Sequence, residues 1–173
     1  MMCYFDHCDC ILSINFQTSL SLRPGYVTAL LNLGNLYRRQ GAADEAEKLL
    51  IRALEIEPDN PEANYSLGML NARQNQFQLA LEHLEKAITL RPDYSDALNN
   101  LGVLFVRQER YAEAKDRFEA CIRAAPSFDQ AYLNLARLYV VLNEKEKARE
   151  VLQNLLHQQP EHKLARQALE MLN

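Results

Sequence analysis

Few residues in this sequence could ligate a metal, attack a carbonyl carbon or shuttle a proton, and they are scattered. The cysteines are Cys3, Cys8, Cys10 and Cys121; the histidines are His7, His83, His157 and His162. Cys3, His7, Cys8 and Cys10 would suit a soft metal by ligand type. Their spacing holds no C-x-x-C pair and no second half follows, so residues 1–10 are expected to be a solvated tail without metal. Cys121 stands alone, and apolar packing is its expected role. The histidines share no helical face, and no Ser or Cys nucleophile can be grouped with them. Acidic residues sit beside Lys or Arg at i,i+3 or i,i+4, as in Glu82/Lys86 and Glu113/Arg117. Such solvated pairs contribute roughly tenths of a kcal/mol each. No phosphate loop or metal motif occurs. The expectation is a protein that is not an enzyme, with no catalytic residue and no cofactor.

The bulk properties exclude further classes. Of 173 residues, 48% are hydrophobic and 24% charged, a globular balance. The net charge of −4 and the lack of a dense Lys/Arg block leave no nucleic-acid footprint. No apolar run approaches the roughly 18 residues of a membrane span, so no membrane insertion is expected. The opening MMCYFDHCDCILSINF makes a poor signal peptide: it has no basic start, and Ser13 and Asn15 break its apolar run. A soluble chain is expected, with a weak pointer to the cytoplasm.

The elements that position side chains are set by a repeat. Pro24, Pro58, Pro92, Pro126 and Pro160 follow one another at intervals of 34 residues. Gly34, Gly68 and Gly102, continued by Ala136, keep that interval, as do Ala46, Ala80, Ala114 and Ala148. Three rows with one period divide the chain into repeats at 27–60, 61–94, 95–128 and 129–162. Each repeat reads as two helices of roughly 12–15 residues with apolar residues at helical spacing. In the first repeat Leu30, Leu33, Leu36 and Tyr37 form one stripe. First helices should end near Gly41, Asn75, Glu109 and Asn143, since Gly and Asn tolerate the left-handed conformation. Each proline should stop a second helix.

The signature positions carry Leu33-Gly34, Leu67-Gly68, Leu101-Gly102 and Leu135-Ala136, then Tyr37, Asn71, Phe105 and Tyr139. Second helices carry Ala46/Leu50/Ala53, Ala80/Leu84/Ala87, Ala114/Phe118/Cys121 and Ala148/Leu152/Leu155. This resembles the tetratricopeptide repeat family, whose pattern runs L-G-x-x-Y, A-x-x-x-F, A and P. The departures are Asn71 for the aromatic residue, Ala136 for glycine and Leu155 for a small residue. The resemblance implies an all-α, right-handed α-α superhelix, a solenoid stabilised by nearest-neighbour interfaces.

Upstream, Phe16, Leu20 and Leu22 fit the second helix of a preceding unit, so 11–26 reads as a half repeat. The chain then begins mid-repeat, as a fragment of a longer array would; a single N-terminal capping helix is the alternative. Downstream, 163–173 reads as a capping helix. Its expected apolar stripe is Leu164, Ala168, Leu169 and Leu172, and its wet face Lys163, Arg166, Gln167, Glu170 and Asn173.

The resemblance also implies a concave wall made of first helices. By position it holds one row of Asn32, Ser66, Asn100 and Asn134 and another of Arg39, Arg73 and Arg107, which ends at Val141. Leu31, Tyr65, Met69, Val103, Val106, Leu133, Arg137 and Val140 lie between, and Asn35 and Asn99 complete the candidate peptide-binding set. An Asn amide both donates and accepts, so a regular row can pair with an extended peptide backbone. The row looks like the asparagine ladder of O-GlcNAc transferases, with Ser66 as a gap. The alternative is that these Asn satisfy neighbouring helix groups and that the arginines complement helix C-termini. If both rows face a ligand, it is an extended segment with apolar and some acidic residues. A two-carboxylate clamp is not expected: Leu31, Asn35, Ser66, Asp96 and Asn100 occupy its positions, and Asp96 would repel a carboxylate.

The leading expectation is thus a non-catalytic scaffold that binds a protein or peptide, as an extended segment or helix, in its groove. The alternatives are a recognition or assembly segment of a larger protein, such as a glycosyltransferase, and self-association through the N-terminal half repeat. A nucleic-acid role ranks last, because the related helical RNA-binding repeats usually run about 35 residues with basic code positions, whereas this chain keeps 34 without drift.

Overall fold

The computed structural model describes residues 7–23 and 25–172, with side chains described from residue 13 onward. Cys3 and the side chains of His7, Cys8 and Cys10 lie outside the described residues, as does Pro24. Among the described residues there are ten helices and no strand. The chain divides into two compact units, Met1–Leu90 and Arg91–Asn173.

The first unit holds α1 (His7–Leu22), α2 (Val27–Gln40), α3 (Ala43–Ile56), α4 (Pro61–Arg73) and α5 (Phe77–Leu90). Neighbours in sequence pack together, and α2 also touches α4. The second holds α6 (Ser95–Arg107), α7 (Tyr111–Ala124), α8 (Asp129–Val141), α9 (Lys145–Gln158) and α10 (Lys163–Glu170). There too neighbours in sequence pack, and α6 touches α8. In each unit, therefore, paired first helices form one wall and second helices lie behind it.

The turns explain why first helices stop where they do. Gly41, Asn75, Glu109 and Asn143 take φ of 81°, 61°, 59° and 61°. The next N–H then bonds the carbonyl five residues back: Ala42 to Tyr37 at 3.0 Å, Gln76 to Asn71 at 2.9 Å, Arg110 to Phe105 at 2.9 Å and Glu144 to Tyr139 at 2.8 Å. This is the Schellman closure, repeated four times, and it satisfies carbonyls the helix end would leave open. Second helices end at Ile56, Leu90, Ala124 and Gln158, each two residues before a repeat proline. Asn60 caps α4, its Oδ1 accepting from the Ala63 N–H at 2.9 Å, with Pro61 opening the helix.

Small residues set the distance between the paired helices. Ala46, Ala53, Ala80, Ala87, Ala114, Cys121 and Ala148 are fully buried. A Cβ on Gly102 would lie 2.6 Å from Phe118 Cε1, so the ring packs directly on the glycine backbone. The Cys121 thiol is sealed in this seam. It donates to the Ser95 carbonyl at 3.2 Å, and burial pushes its pKa up to about 11.

The ends differ from expectation in three respects. Helix α1 begins at His7, inside the stretch read as a tail. Leu20 packs against the first unit's core, whereas Leu22 is 79% exposed, at the helix's last position. In α10 the buried stripe begins at Ala165, fully buried, and ends at Leu172, while Leu164 is 58% exposed. Residues 165, 168, 169 and 172 follow i, i+3, i+4, i+7, and residue 164 lies about 100° off that line. His162 fixes the phase of the helix. Its Nδ1 accepts from the Ala165 N–H at 3.2 Å, which leaves Nε2–H to donate to Asp129 of α8 at 3.0 Å.

Candidate functional site

The residues expected to form one polar row occupy three different environments. In the first unit Asn32 is exposed on α2. Ser66, one repeat later, is only 1% exposed, and its hydroxyl donates to Asn35 Oδ1 at 2.9 Å. The same Oδ1 receives Arg38 Nε at 3.3 Å. Ser66 is therefore part of the α2–α4 seam and does not present itself to a guest. In the second unit Asn134 Nδ2 donates to Asn99 Oδ1 at 2.9 Å, while Asn134 Oδ1 accepts from Gln130 at 3.1 Å. Asn99 is 6% exposed, so it too belongs to the seam. Asn100 is half-buried and donates to the Asp96 carbonyl at 2.8 Å.

The arginines behave in part as the helix dipole requires. Arg39, Arg73 and Arg107 are exposed and lie in the last turns of α2, α4 and α6. Arg73 Nη1 donates to the Arg38 carbonyl, bridging the C-terminal ends of α2 and α4. Tyr65 and Met69 are half-buried on the first unit's wall, as are Val103 and Val106 on the second's. Arg137, Val140 and Val141 are exposed. Leu31 and Leu133, expected between the rows, are each only 6% exposed and belong to the core. Each wall thus offers half-buried apolar side chains bordered by guanidinium and amide groups.

Two expected ion pairs take other partners. Lys86 reaches the Pro58 carbonyl at 2.9 Å and Asp59 at 3.7 Å, while Glu82 accepts from Gln78. Glu113 pairs with Arg110 instead of Arg117, and that bond lowers its carboxyl pKa. Among the described residues no group of His, Cys, Asp and Glu is placed to hold a metal. No described helix is long and apolar enough to cross a membrane.

Sequence reasoning passed over a buried polar pair behind the wall. Asn64 is 1% exposed, and its Oδ1 meets His83 Nδ1 at 3.3 Å. Burial is the main reason the His83 pKa is lowered; Lys86 adds to this and Glu82 opposes it. The sequence signal was Asn64 itself, an amide one turn before the buried Leu67-Gly68 step.

Two tetratricopeptide repeat models match the sequence, one over residues 25–93 and 59–127, the other over 105–172. The chain belongs to the tetratricopeptide repeat family. No curated protein matches it by sequence. Among solved structures it is similar to MamA, with 26% identity over 86% of each chain and a TM-score of 0.75. It is also similar to YrrB, described as a TPR protein with an unusual peptide-binding site. There the identity is 27%, the coverage 91% of this chain and 81% of YrrB, and the TM-score 0.71. The Cut9–Hcn1 structure shares the fold alone, at 19% identity, TM-score 0.78, and coverage of 91% of this chain and 32% of that one. Tetratricopeptide repeats are typically non-catalytic modules that bind proteins or peptides, and the chain carries that helical-repeat scaffold.

Proposed function

We propose that the first-helix walls bind an extended peptide segment of a partner protein. The observation that carries this reading is the half-buried Tyr65 and Met69 on one wall and Val103 and Val106 on the other, each pair beside exposed arginines. Apolar side chains of a guest would displace water from the first set, and its carboxylates would meet the guanidinium groups. YrrB, similar at 27% identity, is described as having a peptide-binding site, which supports the same class of ligand here. The amide contribution comes chiefly from the exposed Asn32, because Ser66, Asn99 and Asn134 are held by other side chains and Asn100 already donates to the Asp96 carbonyl.

The test uses the full chain as bait to recover a partner, followed by calorimetry with the partner's binding segment. Asn100→Ala, Arg107→Ala and Arg137→Ala, combined, should weaken binding by about tenfold or more, equivalent to roughly 1.4 kcal/mol. Helical circular dichroism should stay unchanged. Unaltered affinity in the triple variant refutes binding on this wall.

A further inference from the structure

The row of aromatic residues after each glycine has one break, and the structure shows what the break leaves behind. Tyr37 turns toward α1, where its hydroxyl accepts from Gln17 Nε2 at 3.0 Å. Tyr139, in the second unit, lies within reach of the charge of Glu119 on α7. Tyr37 thus reaches the helix that precedes its own repeat, while the Tyr139 ring also has the Lys147 ammonium of α9 5.6 Å from its centre. The residue at this position in the second repeat is Asn71, which would face α3. An amide is shorter than a phenol ring, and α3 and α5 do not close over the difference.

A cleft of about 320 Å³ remains, with Ile51, Leu54, Leu67 and Leu79 as its apolar lining. The cleft is open to solvent, and because an enclosed apolar void of ~150 Å³ already accepts benzene, a single ring fits within it. Ile51 and Leu79 are 44% and 46% exposed, so the apolar lining is open to a partner. Asn71 is 4% exposed, lines the cleft and makes no side-chain hydrogen bond to another described residue. Glu47 and Glu55, both on α3, complete the lining together with His83. The cleft is framed by α3 and α5, behind the wall considered above.

We propose that this cleft is a second binding site, which takes one aromatic side chain of a partner peptide carrying Lys or Arg next to the ring. The ring replaces the one the repeat lacks, resting on Ile51, Leu54, Leu67 and Leu79. The Asn71 amide provides a donor and an acceptor for the peptide's backbone or for a phenol hydroxyl. Glu47 and Glu55 select a basic neighbour over an acidic one. The site neither depends on the first-helix wall nor shares residues with it.

The test is titration of the methyl-labelled full chain, followed by NMR, with three acetylated and amidated tripeptides. They are Lys-Phe-Lys, Lys-Ala-Lys and Glu-Phe-Glu. Lys-Phe-Lys should shift the methyl signals of Ile51, Leu54 and Leu79 saturably, and the other two should not. Asn71→Phe fills the cleft and should abolish the shifts, with the chain still folded. Should that variant fold poorly, Leu79→Glu removes the apolar lip without filling the space and should also abolish them. Glu47→Gln with Glu55→Gln should weaken binding roughly two- to fivefold per charge, as partly exposed ion pairs do. The wall variant Asn100→Ala/Arg107→Ala/Arg137→Ala should bind the tripeptide as the wild type does, so the two sites fail or stand separately. Absence of shifts at these methyls, equal response to Lys-Ala-Lys, or shifts that survive Asn71→Phe or Leu79→Glu would overturn the proposal.

Discussion

Alanine substitutions at Asn32, Ser66 and Asn134 should give three different stabilities, although the three residues share one place in the repeat. Asn32 is exposed. Its replacement gains helix propensity, up to about 0.7 kcal/mol, and should leave the melting temperature equal or slightly higher. Ser66→Ala removes one donor to Asn35 Oδ1, which keeps Arg38 and has access to water. The net loss should be about 0.5–1 kcal/mol after the propensity gain. Asn134→Ala is the severe case. It strips the donor from Asn99 Oδ1, an acceptor on a residue only 6% exposed, and an unsatisfied buried acceptor costs about 1–3 kcal/mol. For a chain of this length each kcal/mol moves the melting temperature by roughly 2–4 °C. The assay is thermal and urea unfolding followed at 222 nm. The added variant Asn99→Ala supplies a double-mutant cycle. Because Asn99→Ala removes the orphaned acceptor, the double variant should lose less than the sum of the singles. Equal stabilities along the row, or additivity in the cycle, would refute the claim that Asn134 is held by the framework and is not a free amide awaiting a peptide.

Other perturbations follow from the same geometry. Glu109 is the one charged residue in the left-handed turn position, at φ 59°, and also sits at the negative end of α6. Glu109→Gly should stabilise by about 1 kcal/mol, as relief of roughly 1–2 kcal/mol of strain exceeds the entropy cost of glycine; urea unfolding would show it as a higher midpoint. Gly102→Ala should destabilise by about 1–2 kcal/mol, since the Cβ would clash with the buried Phe118 ring by more than helix propensity recovers. Adding Phe118→Leu, which recreates the Ala136/Leu152 combination of the fourth repeat, should recover part of that loss in the same assay. Burial lowers the His83 pKa below the ordinary value of about 6.5, so the unfolded chain takes up the proton more readily. The stability this residue confers is complete above about pH 6.5 and declines as the pH falls below it. Between pH 7.5 and 5.5 the wild type should therefore lose more melting temperature than His83→Gln.

The sequence displayed the framework because its demands recur. A proline every 34 residues stops a helix wherever it falls, and a glycine or alanine in the inter-helix seam is enforced by contact, as Phe118 on Gly102 shows. Left-handed turn positions were legible for a similar reason, even at Glu109, where the residue type argued against it and the period argued for it. The wall was legible only as a list of positions. Period fixes which residues share a face, but not whether an amide there points at solvent or at its neighbour. Ser66 and Asn134 are held by Asn35 and Asn99, partners 31 and 35 residues away, so the registers differ by four residues and no single offset finds both. Leu164 turns outward despite its hydrophobicity because phase decides: the His162 cap sets α10 so that Ala165, the smaller residue, faces inward. Asn71 shows the opposite case. Against a periodic background an exception carries more information than a conforming residue, because the neighbours are shaped for what is missing. The aromatic row predicts a ring between α3 and α5; the chain provides an amide there and leaves two aliphatic side chains half in water. A repeat protein stabilised through local interfaces can carry such a defect in one repeat without losing the rest. Asn71 is therefore where the regularity of the aromatic row gives way.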